Sequence, residues 1–211
     1  TLMATRKKNN LLPKGTLLVA TATEAEALFF SQMRKDCRFT NMNVEHVDAK
    51  NLEDFITKVG RIKSRNHFDE AFAVFGFDDL ATNAEEVKTV KEMADKKKVG
   101  LAFFNPSFDL WIYLHLAEPK SFVNDKNIFV NALSSKLAEY EFSEKYLLSK
   151  GLNLHMQLFP RHAMADLAAR NYNNIAKVAT GLEATTMPEL NKAINEICGQ
   201  ADMSHNTKVF N

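Results

Sequence analysis

Apolar and polar residues follow one another along the first half of the chain in blocks that predict strands and helices in turn. Three segments with a helical spacing of apolar residues also carry acids early and bases late, which suits the helix dipole. These helical segments are residues 23–35, 51–65 and 83–98. Short apolar runs rich in strand-forming residues precede and follow them and predict strands: GTLLVAT (15–21), EAFAVFGF (70–77) and VGLAFF (99–104). A further strand is predicted over NVEHVDA (43–49), where apolar and polar residues alternate. The alternation predicts an α/β fold with about four mainly parallel strands and flanking helices.

After the fourth strand the pattern becomes helical. The stretch FFNPSFDLWIYLHL (103–116) reads as a strand end, an Asn-Pro turn and a largely apolar helix. We expect Asn105 to cap this helix and Pro106 to occupy its first turn. Three more helices are predicted further on, over residues 131–150, 160–179 and 186–197. The last of them opens with Thr186 and Glu189 at the spacing of a capping box.

The chain has 211 residues, of which 45% are hydrophobic, and this suits one compact unit. We predict a flexible basic arm over residues 1–13 and an α/β domain over residues 14–120. Residues 121–211 are predicted to form a helical extension that packs on this domain.

A formal net charge of +1 gives no overall basic field, so any affinity for nucleic acid has to be local. Basic residues cluster near the N-terminus, where Lys7 and Lys8 lie, and at Lys96, Lys97 and Lys98. Such clusters are commonly solvated helix ends or loose termini. If the chain binds RNA or DNA, these five lysines are the expected contacts.

The two cysteines, Cys37 and Cys198, lie far apart and predict neither a disulfide framework nor a zinc site. No apolar run reaches the ~18 residues of a membrane span, and the first residues lack a signal-peptide core. We therefore expect a cytoplasmic protein that does not enter a membrane. Gly-rich nucleotide-binding motifs and nucleophile-elbow motifs are absent from the sequence.

Candidate chemistry lies where the predicted strands end, because parallel sheets carry their sites at that edge. Asp78 and Asp79 follow the third strand, where paired acids either hold Mg²⁺ or cap the next helix. Asp109 lies among apolar neighbours and needs a partner, a metal or a proton. Glu26 falls at a helix N-terminus, where a carboxylate is favourable in any case. His115 is interpreted as a buried, hydrogen-bonded histidine.

The order Asn105, Pro106, Phe108, Asp109, Trp111 and His115 resembles the NP-x-F-E-x-W-x-x-x-H element of the RloB family of AbiLii-like proteins. This resemblance implies a Toprim-like fold over residues 15–118 and a place in bacterial abortive-infection and phage-defence loci. It also implies a Glu that acts as acid and base, two Asp residues that hold Mg²⁺, and an AAA/ABC-type ATPase partner.

The chain departs from the family pattern at the positions that would carry catalysis. Thr21 and Ala22 stand where the family has the catalytic Glu and a Gly, while Glu26 matches a later Glu. Gly76 stands in place of the first Asp, and Asp109 replaces a Glu. What remains is a partial cluster of Asp78, Asp79 and Asp109, with Glu26 as a further candidate and Asp78 with Asp79 as a weak Mg²⁺ site.

Two functional hypotheses and one simpler alternative follow. The first is a catalytically degenerate module of an antiphage system that binds nucleic acid or a partner protein. The second is an active Mg²⁺-dependent nuclease for RNA or DNA that works with the ATPase through a rearranged cluster. The third is a structural subunit without a ligand. The sequence does not predict the oligomeric state.

Overall fold

A computed structural model describes residues 15–203 of the chain. Four strands form one sheet: β1 (Leu17–Thr21), β2 (Met42–His46), β3 (Glu70–Gly76) and β4 (Gly100–Phe104). Their order is β2-β1-β3-β4, and every neighbouring pair is parallel. The predicted α/β fold, with its strands and its helical C-terminal part, is confirmed. The predicted arm over residues 1–13 lies outside the described residues.

Helices fill the space between and after the strands. Those within the sheet region are α1 (Glu24–Asp36), α2 (Leu52–Arg65) and α3 (Ala84–Lys97). Those that follow are α4 (Asp109–Leu114), α5 (Lys126–Ser134), α6 (Glu144–Leu147), α7 (Leu154–Leu158), α8 (His162–Thr180) and α9 (Met187–Cys198). Within residues 15–203, no helix combines the length and the apolar character needed to cross a membrane.

Alternate residues of β1, β3 and β4 face two separate cores, as the period of two in a strand requires. Leu17, Val19 and Phe104 point into one core, which α1, α4, α8 and α9 complete. Leu18 and Phe75 point into the other, which α2 and α3 cover. These three strands are therefore largely buried on both faces and are mostly apolar, whereas the edge strand β2 buries one face and exposes Asn43 and Glu45 on the other.

The segment that follows α5 differs from the single helix predicted over residues 131–150. Helix α5 ends at Ser134, and Glu139 adopts a positive φ of 54° that a helix cannot contain. The next residue, Tyr140, is buried, and its hydroxyl donates a hydrogen bond to Asp109. The apolar spacing was compatible with one long helix, but this long-range contact and a new cap at Ser143 divide the segment.

Two predicted helix starts are also wrong in detail. Helix α4 begins at Asp109, without a side-chain cap from Asn105, whose backbone N–H instead donates to the carbonyl of Ala184. The hydroxyl of Thr186 accepts from Phe103 N and donates to Leu101 O, so it joins α9 to β4 and forms no capping box. At Thr186 a contact distant in sequence takes the hydroxyl that a local cap would have used.

Candidate functional site

The carboxyl ends of the four strands meet at one edge of the sheet, and α1 and α4 begin beside them. This edge, called here the strand-end site, carries Thr21 after β1, Gly76 and Asp79 after β3, and Asp109 after β4. Each strand leads directly into a capped helix or a tight turn. A short connection of this kind fixes the side chains at the strand ends.

Thr21 is fully buried, and its hydroxyl donates a 2.8 Å hydrogen bond to the carbonyl of Thr23. The hydroxyl therefore secures the turn into α1. A threonine hydroxyl does not exchange a proton near neutral pH as a carboxylate does. At this position the chain offers a structural hydrogen bond and no acid or base.

Gly76 ends β3 without a side chain, and Asp79 occupies the space that a side chain would need. A Cβ built on Gly76 would lie 2.5 Å from Oδ2 of Asp79 and 3.1 Å from Cα of Ser107. The same Oδ2 accepts a 2.9 Å hydrogen bond from the backbone N–H of Gly76. The Asp79 carboxylate is therefore folded back over the strand end and held there by the backbone.

Burial raises the pKa of Asp79, and the nearby carboxylates of Asp78 and Asp109 raise it further, while the Gly76 hydrogen bond and Lys126 oppose the shift. The residue as a whole is exposed, so the burial that raises this pKa concerns the carboxylate folded against the strand end. Asp78, directly before it in the chain, is exposed.

Glu26 lies entirely inside the protein, one turn into α1. It forms a capping box with Thr23: the Thr23 hydroxyl accepts from Glu26 N, and Glu26 Oε2 accepts from Thr23 N. Its other oxygen, Oε1, is buried without a hydrogen-bond partner among residues 15–203. Burial and the charge of Asp79 raise the pKa of Glu26 well above its usual range. A proton held by Glu26 is the simplest way to satisfy this side chain.

The buried Glu26 should make folding sensitive to pH. Because its folded-state pKa lies above the unfolded value of about 4.3, its protonated form stabilises the fold. That stabilisation is fully present below the unfolded pKa and is lost as the pH rises through the folded pKa.

Thermal melts across pH should show a smaller loss of stability at high pH for Glu26→Gln than for the unaltered protein. Glu53→Gln, at an exposed position in the first turn of α2 and without an ion pair among residues 15–203, is the control. Identical pH profiles for the two variants would contradict this reading.

Asp109 is buried, and both of its carboxylate oxygens are occupied. Oδ2 accepts from the hydroxyl of Ser107 and Oδ1 from the hydroxyl of Tyr140, each at 2.7 Å. Burial and the Asp109 charge raise the pKa of Tyr140 well above its usual range, so this hydroxyl remains a donor. Asp109 thus lies at the strand-end site, but both of its carboxylate oxygens already accept hydrogen bonds, from Ser107 and Tyr140.

His115 and Trp111 lie on the buried face of α4. The Nδ1 atom of His115 is 2.9 Å from the carbonyl of Trp111, and burial lowers the pKa of His115 to about 3. The ring is therefore neutral and internally bonded, as interpreted from the sequence. Among residues 15–203, no hydrogen bond joins the His115 ring to a carboxylate of the strand-end site.

The structure brings all four candidate acids into electrostatic contact through Asp79, whose charge interacts with those of Glu26, Asp78 and Asp109. They do not form a metal-ligand set: within residues 15–203, no group of three or more His, Cys, Asp or Glu side chains is placed to hold a metal ion. Sequence reasoning identified the acids but missed their partners, Ser107 and Tyr140. Tyr140 is 31 positions from Asp109, and no local pattern signals their contact.

A second feature lies on the outer side of α2 and α3. A recess of about 990 Å³, called here the basic groove, runs between these helices. Six of its lining residues are positively charged: Lys58, Arg61, Arg65, Lys96, Lys97 and Lys98. Lys58 pairs with Asp54, whereas the other five have no ion-pair partner among residues 15–203.

The helices approach closely enough to form the groove because Gly60 has no side chain. A Cβ at Gly60 would lie 3.0 Å from Cδ of Lys97, so the Lys97 stem packs on the bare α2 backbone. Lys63 also donates a 2.6 Å hydrogen bond to the carbonyl of Lys98, which holds the end of α3 against α2. The predicted contacts Lys96, Lys97 and Lys98 belong to this groove. Lys7 and Lys8 lie outside the described residues.

The fold and the site define an α/β protein with an all-parallel sheet that carries four acidic side chains near the carboxyl ends of its strands. Over residues 16–197 the sequence matches the family of RloB-like proteins. This range includes the whole sheet and all but one residue of the last helix, and the chain belongs to that family. No curated protein and no solved structure gives a significant match.

Proposed function

We propose that this RloB-like protein is a catalytically degenerate, Toprim-like module of a bacterial antiphage (abortive-infection) system that binds nucleic acid. The observation that supports binding is the basic groove, which concentrates six cations in a chain of net charge +1. Five of these cations have no ion-pair partner among residues 15–203, and such a row suits the phosphate backbone, where each contact releases counterions.

The degenerate state of the strand-end site supports the absence of catalysis. Thr21 offers no acid or base, and Asp109 is already saturated by Ser107 and Tyr140. Asp78 and Asp79 remain for Mg²⁺, which we expect to bind weakly, since one or two carboxylates suffice only when phosphates and water complete the shell.

The alternative is an active Mg²⁺-dependent nuclease. The proximity of Glu26 and Asp109 to Asp79 favours this alternative. An AAA/ABC-type ATPase partner belongs to the proposal in either form, because the family resemblance implies it. A cytoplasmic location is also proposed, since two cysteines without a disulfide framework suit a reducing compartment.

Binding is tested with fluorescently labelled RNA and DNA, in duplex and single-stranded form, by anisotropy over a range of salt concentrations. We expect binding at about 50 mM salt that weakens steeply as salt increases. The double variant Arg61→Gln/Arg65→Gln removes two cations and should weaken binding. The slope of log K against log salt concentration should become shallower by about 0.9 for each lost phosphate contact. Lys136→Gln/Lys145→Gln removes the same charge from exposed positions outside the groove and is the matched control.

The proposal fails if the protein does not bind at low salt, or if the control variant loses as much affinity as the groove variant. Cleavage of the same oligonucleotides in millimolar Mg²⁺ or Mn²⁺, abolished by Asp79→Asn, would establish the nuclease alternative. An oligonucleotide that is bound but remains intact supports the degenerate form.

A further inference from the structure

The uncharged lining of the basic groove bears on the form of nucleic acid that the groove accepts. Within residues 15–203, this lining consists of Val47, Gly60, Ile62 and Ser64. None of these residues has an aromatic ring. Sites for single strands combine a positively charged groove with aromatic side chains on which successive bases stack. The basic groove has the charge of such a site but lacks the rings for stacking.

The cations of the groove come from two helices and form two rows. Lys58, Arg61 and Arg65 follow one another at intervals of three and four residues, which places them along one face of α2 over about 10 Å. Residues 96–98, at the end of α3, supply the second row. The bare backbone of Gly60 lets the two rows approach each other. Charge spread over two rows suits the paired phosphate backbones of a duplex.

Much of the groove lies away from the acidic strand-end site. Arg65 ends α2 shortly before β3 begins at Glu70, and Lys97 ends α3 shortly before β4 begins at Gly100. These helix ends therefore lie near the amino edge of the parallel sheet. A five-residue strand such as β4 separates the two edges by about 17 Å. This exceeds the Debye length of about 8 Å at physiological salt, so phosphates bound beside these cations are largely screened from the acids.

A site that acts through charge alone distinguishes duplexes from single strands. Each phosphate contact contributes about 0.9 to the slope of log K against log salt concentration on a B-DNA duplex, and about 0.7 on a single strand. For the five cations without an ion-pair partner among residues 15–203, this difference amounts to about tenfold in affinity at about 50 mM salt. The difference becomes smaller as the salt concentration rises.

On the basis of the binding function proposed above, we propose that the basic groove is a site for double-stranded nucleic acid, whose phosphate backbones it contacts. Single strands bind there more weakly. The bases of a duplex remain stacked on one another, so they need no aromatic platform on the protein. The two rows of cations and the lining without aromatic rings both favour this form.

Fluorescence anisotropy of the full chain with one labelled DNA strand, measured alone and after annealing to its complement, tests the proposal. The strand is chosen without self-complementarity, so that the label and the sequence stay the same in both forms. We expect the duplex to bind about tenfold more tightly at about 50 mM salt. The salt slopes of the two forms should stand in a ratio of about 0.9 to 0.7.

The groove variant Arg61→Gln/Arg65→Gln assigns this preference to the groove. Both arginines are exposed, so the fold should survive their replacement. The loss of two contacts should weaken duplex binding more than single-strand binding and so reduce the preference. Lys136→Gln/Lys145→Gln, at exposed positions outside the groove, should leave the preference unchanged.

Two outcomes would overturn the duplex site but leave nucleic-acid binding in place. One is a single strand that binds as tightly as the duplex, and the other is a preference that the groove variant retains in full. If neither form binds at low salt, the binding function fails together with the duplex site.

Discussion

Replacing Trp111 with alanine is expected to lower the free energy of unfolding by about 3–5 kcal/mol. Trp111 is completely buried on α4, where its ring contacts His115 and His162, so its removal leaves a large void between α4 and α8. Its indole Nε1 has no hydrogen-bond partner in the described part of the chain, so the loss should come from packing alone. Urea denaturation, analysed by linear extrapolation, measures the change.

Two further substitutions make this first test specific. Trp111→Phe keeps much of the ring volume and should cost clearly less than Trp111→Ala. Val178→Ala, at a side chain that is 90% exposed on α8, should change stability by no more than about 0.5 kcal/mol. A loss below about 1 kcal/mol for Trp111→Ala would mean that α4 does not face the core as described.

Asp109→Asn is the second substitution with a large expected effect, a loss of about 1–3 kcal/mol. An amide in place of the carboxylate keeps one acceptor oxygen but presents an NH₂ group to Ser107 or to Tyr140, each of which donates to the present carboxylate. One buried hydroxyl then loses its acceptor. An exposed, unpaired aspartate would lose less than ~1 kcal/mol on the same change, and the paired and buried geometry of Asp109 raises that value.

The control for Asp109→Asn is Asp78→Asn, a chemically identical change at an exposed carboxylate of the same edge. It should leave the thermal midpoint nearly unchanged. Tyr140→Phe removes one of the two donors and should reproduce part of the Asp109→Asn loss. Equal effects of Asp109→Asn and Asp78→Asn would show that the hydrogen bonds to Asp109 contribute little.

The sheet was predictable because its information is local. The apolar residues of β1 to β4 and the charges at the ends of α1 to α3 predict that strands alternate with helices. A connection long enough to contain a helix allows consecutive strands to pair in parallel. Cys37 and Trp111 were likewise placed correctly as a free thiol and a core residue.

The site was predictable only as a set of residue types. The positions of Asp78, Asp79 and Asp109 at strand ends followed from the sheet, but their hydrogen-bond partners did not. Tyr140 reaches Asp109 across 31 positions. The basic groove was found only at its Lys96 end, because the contribution of α2 depends on how two helices pack.

The bare backbone at Gly76 bears on how such a protein could evolve. A mutation that restores a carboxylate at this position would have to place its Cβ where the Asp79 carboxylate now lies, and would also press on the backbone of Ser107. Asp79 would first have to give up its hydrogen bond to Gly76 N. A single substitution that adds a carboxylate at Gly76 is therefore opposed by its present neighbours. Under the proposed loss of catalysis, a return of activity would need concerted changes at Gly76, Asp79 and Thr21.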